Sequence, residues 1–286
     1  MQPHTTFLDI PTPTGKTSKI AVYEWGDVAN AETIFCVHGL TRNGRDFDIL
    51  AENLSANYRL IAVDMAGRGK SEWQADPALY NYPQYVMDVA NILAQLGLQR
   101  IHFIGTSMGG IIGMLLVNAF PNLLKTLTIN DIGCFVPAAG LKRISQYVGA
   151  SEFASRLEAE NALRLRCETY GISSEEHWQN LFESSIQQTP EGKFRLAYDP
   201  AISKNFSADA EIKDIDLWQL WEAVKKVPTL LIHGKISDIL PADVAQKMQA
   251  THPNFTLLEI PKVGHAPALA DNVQISTIRN FISRHK

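Results

Sequence analysis

An excess of positive charge is missing from this chain: 26 Lys and Arg stand against 30 Asp and Glu in 286 residues, a formal net charge of −4. No basic stripe is available to track a phosphate backbone, so nucleic acid is not an expected partner. The longest lysine run is Lys225-Lys226, which reads as a solvated helix face. Cysteine is scarce too, with only Cys36, Cys134 and Cys167. Their odd number and the lack of a C-x-x-C spacing argue against a disulfide framework or a cysteine metal site. Free thiols in a reducing, cytoplasmic setting are the expectation. No apolar run approaches the roughly 18 residues a membrane span needs, and Met1 to Pro13 lacks the basic and apolar regions of a secretory leader. No His, Asp or Glu cluster has metal-ligand spacing, so neither a metal nor another cofactor is expected.

What is present is an ordinary globular composition, 45% hydrophobic and 20% charged, enough for one large domain with or without an insertion. Phe7 to Ile10 and Ile20 to Trp25 alternate around Pro11-Thr12-Pro13-Thr14-Gly15, the pattern of an antiparallel opening. Short runs apolar on both faces then follow, at Thr33 to Val37, Leu60 to Val63, Arg100 to Gly105 and Leu124 to Ile129. They are separated by helical patterns at Phe47 to Leu54, Tyr82 to Leu96 and Ile111 to Phe120, as in a parallel sheet covered on both sides.

The alternation stops after that sixth strand. Residues 134–226 carry helical patterns at Leu141 to Val148, Glu152 to Tyr170, Glu175 to Ser185 and Leu217 to Val224, and read as an inserted cap. Strand and helix alternation then resumes at Pro228. The expected fold is α/β, a mostly parallel eight-stranded sheet with helices on both faces and a helical cap after the sixth strand. Residues 1–133 and 227–286 form the core and 134–226 the cap or lid.

The most informative stretch is Gly105-Thr106-Ser107-Met108-Gly109, a G-x-S-x-G pentapeptide between an apolar strand and an apolar helix. In a nucleophile elbow the serine is lifted off the strand end in a tight turn, and the flanking glycines leave room for the crossing backbone. Ser107 is therefore the candidate nucleophile, with the Met108 amide aimed at the oxygen of whatever it attacks. A second amide donor is expected from Leu40, after the strand that ends in His38-Gly39.

A serine hydroxyl needs a base, and the base needs an orienting acid. His265, on the Gly-Pro-flanked loop Val263 to Pro267 after the last strand, is the expected base. His38 and His233, each followed by glycine, read as histidines hydrogen bonded within strand-end loops. Asp238, after the seventh strand, is the expected acid, and Asp131, after the sixth, is the alternative. The glycine-rich turn Asp64 to Ser71 lacks phosphate-loop spacing and reads as architecture.

His38-Gly39-Leu40, Asp64-Met65-Ala66-Gly67-Arg68-Gly69-Lys70-Ser71, Gly105-Thr106-Ser107-Met108-Gly109-Gly110, Ser237-Asp238 and Gly264-His265 occur in this order along nearly the whole chain. Together they resemble the α/β hydrolase fold family, in particular its capped serine esterases and lipases. The resemblance implies a serine hydrolase that cleaves carboxylic esters of small or medium apolar substrates through an acyl-enzyme, with Ser107, Asp238 and His265 as the triad and Leu40 and Met108 as the oxyanion hole. Carbon–carbon bond, lactone or thioester cleavage on the same triad is the alternative, as is a non-catalytic hydrolase-fold binding protein. The implied partner is a small ester-like molecule. Phe135, Tyr147, Trp178, Trp218 and Trp221 are the cap aromatics that could line an apolar pocket, while Leu217, Leu220, Trp221 and Val224 fall on one helical face and read equally well as packing against the core.

Overall fold

The chain opens with two strands, β1 (His4–Pro11) and β2 (Thr17–Trp25), paired antiparallel in register from His4–Glu24 to Pro11–Thr17. The computed structural model describes residues 2–149, 152–206 and 211–286. Next come β3 (Thr33–Val37), α1 (Asp48–Leu54), β4 (Arg59–Val63), α2 (Tyr82–Gln95), β5 (Ile101–Thr106), α3 (Met108–Ala119) and β6 (Leu124–Asn130).

The segment after β6 holds β7 (Phe135–Val136), α4 (Ala138–Ser145), β8 (Glu152–Phe153), α5 (Arg156–Arg166), α6 (Glu175–Ser185), β9 (Ile186–Gln188), β10 (Phe194–Leu196), β11 (Ile215–Asp216) and α7 (Trp218–Val224). The core resumes with β12 (Thr229–Gly234), α8 (Ala242–Thr251), β13 (Phe255–Ile260) and α9 (Asn272–Ser283). The main sheet has eight strands in the order β1-β2-β4-β3-β5-β6-β12-β13, parallel from β4 onward. It is the mostly parallel sheet that the sequence predicts.

Period-2 alternation divides each central strand between two apolar layers. Phe35, Val37, Ile61, Val63 and Leu231 face one side, with Val89, Ile112 and Met248 from α2, α3 and α8. Ile34, Cys36, Leu60, Ala62, Leu230 and Ile232 face the other, with Leu50, Leu54, Ile278 and Phe281 from α1 and α9. Burying strands on both faces fixes register, because a one-residue slip would exchange the two layers.

The segment between β6 and β12 is less purely helical than its sequence pattern implies. Of the 134–226 interval, residues 150–151 and 207–210 lie outside the described residues. The rest adds a three-stranded sheet, β8-β10-β9, and a two-stranded one, β11-β7. These strands are two or three residues long, too short for alternation to register as a pattern. The expected helix at Glu152 to Tyr170 begins only at Arg156, where the Ser155 side chain accepts from the Glu158 amide and caps it.

Candidate active site

β5, β6, β12 and β13 are neighbours in the sheet, and their carboxyl ends deliver the residues of the site. Ser107 sits between β5 and α3 with φ 52° and ψ −112°, a backbone conformation rare for residues other than glycine. Two close approaches make this turn possible. A Cβ on Gly105 would lie 2.2 Å from the Gly109 carbonyl oxygen, and one on Gly109 would lie 2.1 Å from the Val37 carbonyl oxygen. The elbow packs backbone on backbone, and any side chain at either position would push it open.

His265 lies on the loop after β13. Its Nε2 is 2.8 Å from Ser107 Oγ and its Nδ1 is 2.9 Å from Asp131 Oδ2. An ionised carboxylate only accepts, so Nδ1 carries the proton and Nε2 faces the serine hydroxyl as acceptor. Asp131 is fully buried directly after β6, and its other oxygen, Oδ1, accepts from the Gly234 amide at 2.7 Å. Next to it, Asn130 Nδ2 donates to Thr106 Oγ1 at 3.1 Å and to the Pro267 carbonyl at 2.8 Å. Asn130 thereby ties the elbow strand to the histidine loop.

The acid expected at Asp238 is not beside the histidine. Its carboxylate accepts from Arg143 Nε and Nη2 of α4 at 2.5 and 2.9 Å, and its side chain is 42% exposed. Partial burial works to raise the carboxyl, but the Arg143 guanidinium holds it below the ordinary aspartate range. Asp131, the alternative, occupies the place. The order Ser, Asp, His is satisfied by either residue, so chain order alone could not separate them. What separates them is long-range: Asp131 meets Gly234 and His265, 103 and 134 residues further along the chain, whereas Asp238 meets Arg143.

The amides of Leu40 and Met108 make no hydrogen bond to the described residues, and both residues border the space at Ser107. The loop that carries Leu40 is held from behind by residues that the sequence reading left as loop hydrogen bonding or architecture. His38 Nε2 accepts from the Met65 amide at 3.0 Å, so its Nδ1 carries the proton and donates to the Gly39 carbonyl at 2.6 Å. That carbonyl also accepts from the Arg42 amide at 3.1 Å. A peptide's C=O and the next N–H point in opposite directions in one plane, so fixing the Gly39 oxygen aims the Leu40 hydrogen. Burial keeps His38 neutral, with its pKa pushed down to about 3. Arg68, fully buried, donates from Nε to the Leu40 carbonyl at 2.9 Å, and its Nη2 lies 3.6 Å from Met108 Sδ.

Two spaces meet at Ser107. A larger cavity of about 490 Å³ is mainly apolar and is lined by Tyr82, Met108, Ile111, Ile132, Leu141 and Ile215. A smaller one of about 50 Å³ runs beneath Tyr147, Tyr170 and His177 beside His265 and Arg42. Leu40 and Ile144 border both. Of the five cap aromatics expected at a pocket, Tyr147 borders these spaces. Trp178 stacks on Phe182 at 5.7 Å, and Trp221 packs edge-on against Trp218, His252 and Phe255. Phe135 pairs with Asp216 in the small two-stranded sheet.

A family model described as alpha/beta hydrolase fold matches residues 32–150. The chain is 34% identical to a 3-hydroxybutyrate-oligomer hydrolase of Cupriavidus necator over 98% of both sequences. The chain belongs to the alpha/beta hydrolase fold family. Among solved structures, this hydrolase superposes on a protein from Rickettsia typhi with a TM-score of 0.91 and 36% identity over 100% of both chains. It superposes on an alpha/beta hydrolase from Novosphingobium aromaticivorans with a TM-score of 0.86 and 33% identity over 99% of both. Among the described residues of this alpha/beta hydrolase, no helix is long and apolar enough to cross a membrane.

Proposed function

We propose that the protein is a serine hydrolase that cleaves carboxylic esters through an acyl-enzyme, with Ser107 as nucleophile, His265 as general base and Asp131 as the orienting acid. The reading is carried by one observation, the unbroken chain from Ser107 Oγ to His265 Nε2 and from His265 Nδ1 to Asp131 Oδ2, at 2.8 and 2.9 Å. Ser107 adds to the ester carbonyl as its proton passes to His265 Nε2. The imidazolium that forms is stabilised by the buried Asp131 carboxylate. The alkoxide is held by the Leu40 and Met108 amides, with the N-terminus of α3 adding positive potential. His265 then protonates the departing alcohol, and water drawn through the same base releases the acid.

The substrates proposed are small to medium esters with a largely apolar acyl part, housed in the larger cavity. Esters of short hydroxy acids are the first class to test, because the Cupriavidus relative is named for hydrolysing 3-hydroxybutyrate oligomers. Residues 134–226 act as the cap, since Leu141, Ile144, Tyr147 and Tyr170 cover the serine. Three buried free cysteines support a reducing, cytoplasmic home. Turnover of p-nitrophenyl butyrate by the wild type and by Ser107→Ala tests the reading. A loss of roughly 10³-fold or more in a folded variant is expected, and undiminished turnover would overturn it.

A further inference from the structure

The smaller cavity has a chemistry that ester hydrolysis alone does not require. It holds a charged group, Arg42, whose side chain is only 6% exposed. The Cγ of Arg42 and the Cβ of Ser107 each lie 3.7 Å from the point that a Cβ on Gly39 would occupy, so the arginine stem and the nucleophile flank the same glycine. Asp46 fixes the guanidinium, accepting from Nε at 3.0 Å and from Nη2 at 2.5 Å. The Nη1 edge makes no hydrogen bond to the described residues, and Arg42 borders both the smaller cavity and the recess next to it. A second guanidinium, Arg166, lies against the Tyr147 ring at 5.3 Å, in a small recess that Arg42, Tyr147 and Tyr170 also border.

The catalytic geometry says which half of the ester enters this space. The leaving oxygen must take its proton from His265 Nε2, and His265, Ala266 and Pro267 line the smaller cavity but not the larger. The departing alcohol therefore lies toward Arg42 and the acyl part in the apolar cavity. One water occupies roughly 10–15 Å³ of such a space, so about 50 Å³ suits a short leaving group better than a long chain.

We infer that the smaller cavity is a leaving-group subsite for a short hydroxy acid, with the Nη1 edge of Arg42 binding its free carboxylate. The enzyme then acts at the carboxylate end of its substrates, releasing one hydroxy acid at a time while the rest of the acyl chain stays in the larger cavity. This rests on the ester-hydrolase reading above. Asp46 serves as the positioning residue that turns the guanidinium edge toward the cavity.

The test compares 3-hydroxybutyryl-3-hydroxybutanoate with its methyl ester, two substrates that share the scissile bond and differ in the terminal charge, alongside p-nitrophenyl butyrate. A hydrogen bond to a charged group is expected to favour the free acid in kcat/KM by roughly 10- to 100-fold. Arg42→Gln should collapse that ratio toward one, chiefly through KM, and Arg42→Lys should restore part of it. Should Arg42→Gln not fold, the wild type still decides the matter: 3-hydroxybutanoate should inhibit p-nitrophenyl butyrate turnover far better than its methyl ester does. Equal cleavage of acid and methyl ester, or equal inhibition by the two products, would overturn the subsite. Failure to cleave any of the three substrates would instead overturn the ester-hydrolase reading itself.

Discussion

Replacing Asp131 by asparagine should cripple the enzyme far more than the same change at Asp238. Both Asp131 oxygens accept, Oδ1 from the Gly234 amide and Oδ2 from His265 Nδ1. Asparagine offers one acceptor and one NH₂ donor, so one contact becomes donor against donor. Keeping the Gly234 bond turns the NH₂ toward Nδ1, which must then give up its proton and accept. The ring adopts the other tautomer and presents Nε2–H to Ser107, leaving nothing to take the hydroxyl proton. In a triad this substitution costs on the order of 10⁴-fold in kcat, about 5 kcal/mol of transition-state stabilisation. Asp238→Asn loses an ion pair whose partners are 41% and 42% exposed, a change of roughly 0–1 kcal/mol in stability, and removes no hydrogen bond to the base. Both variants should be assayed with p-nitrophenyl butyrate after circular dichroism confirms folding. A larger loss for Asp238→Asn than for Asp131→Asn would refute the reasoning.

Other outcomes follow from the same contacts. Arg68→Met removes the bond to the Leu40 carbonyl and should lower kcat roughly 10-fold or more, the scale of a weakened oxyanion donor, with KM less affected; equal kcat in a folded variant would detach Arg68 from the reaction. Tyr147→Ala should change the ratio of rates on short and long acyl esters more than Trp178→Ala does, since only the former borders the cavities at Ser107; identical ratios would place specificity in the core loops. Asp88 is buried, its Oδ2 unpartnered, and burial raises its carboxyl to about 6 despite the hydrogen bond from Gln84 and the Arg68 charge. Because the folded carboxyl holds its proton more tightly than the unfolded one, its contribution is favourable below about pH 4 and is lost as pH rises to about 6. Asp88→Asn should therefore raise Tm at pH 7 more than at pH 4.5, by up to about 3 kcal/mol in stability; the same gain at both pH values would show that ionisation of Asp88 is not the cause.

The sequence made the sheet legible because its central strands are short, apolar on both faces and separated by helices with clear periodicity. Ser107 was legible because few turns need glycines two residues to either side, and His265 because it stands alone on the loop after the last strand. The acid was harder, since two aspartates follow successive strands and the choice rests on which of them points into the sheet end, a long-range fact. His38 was legible only as a loop hydrogen-bonding residue and Arg68 only as architecture, for a related reason. Each acts through contacts 27 or 28 residues away, His38 on the Met65 amide and Arg68 on the Leu40 carbonyl. The small strands after β6 escaped notice because two or three residues carry no period, and four of the five aromatics of residues 134–226 pack or pair in a small sheet, the alternative that the helical face around Trp221 had offered.

The central claim is that Ser107 is the atom-donating nucleophile, and covalent trapping tests it most directly. The wild-type protein is treated with a fluorophosphonate ester until p-nitrophenyl butyrate turnover stops, then digested and mapped by mass spectrometry. The account predicts one phosphonyl group per chain, on Ser107, with labelling abolished in folded Ser107→Ala and severely slowed in Asp131→Asn. Full turnover with no adduct, or inactivation by an adduct on another residue while Ser107 stays unmodified, would contradict it.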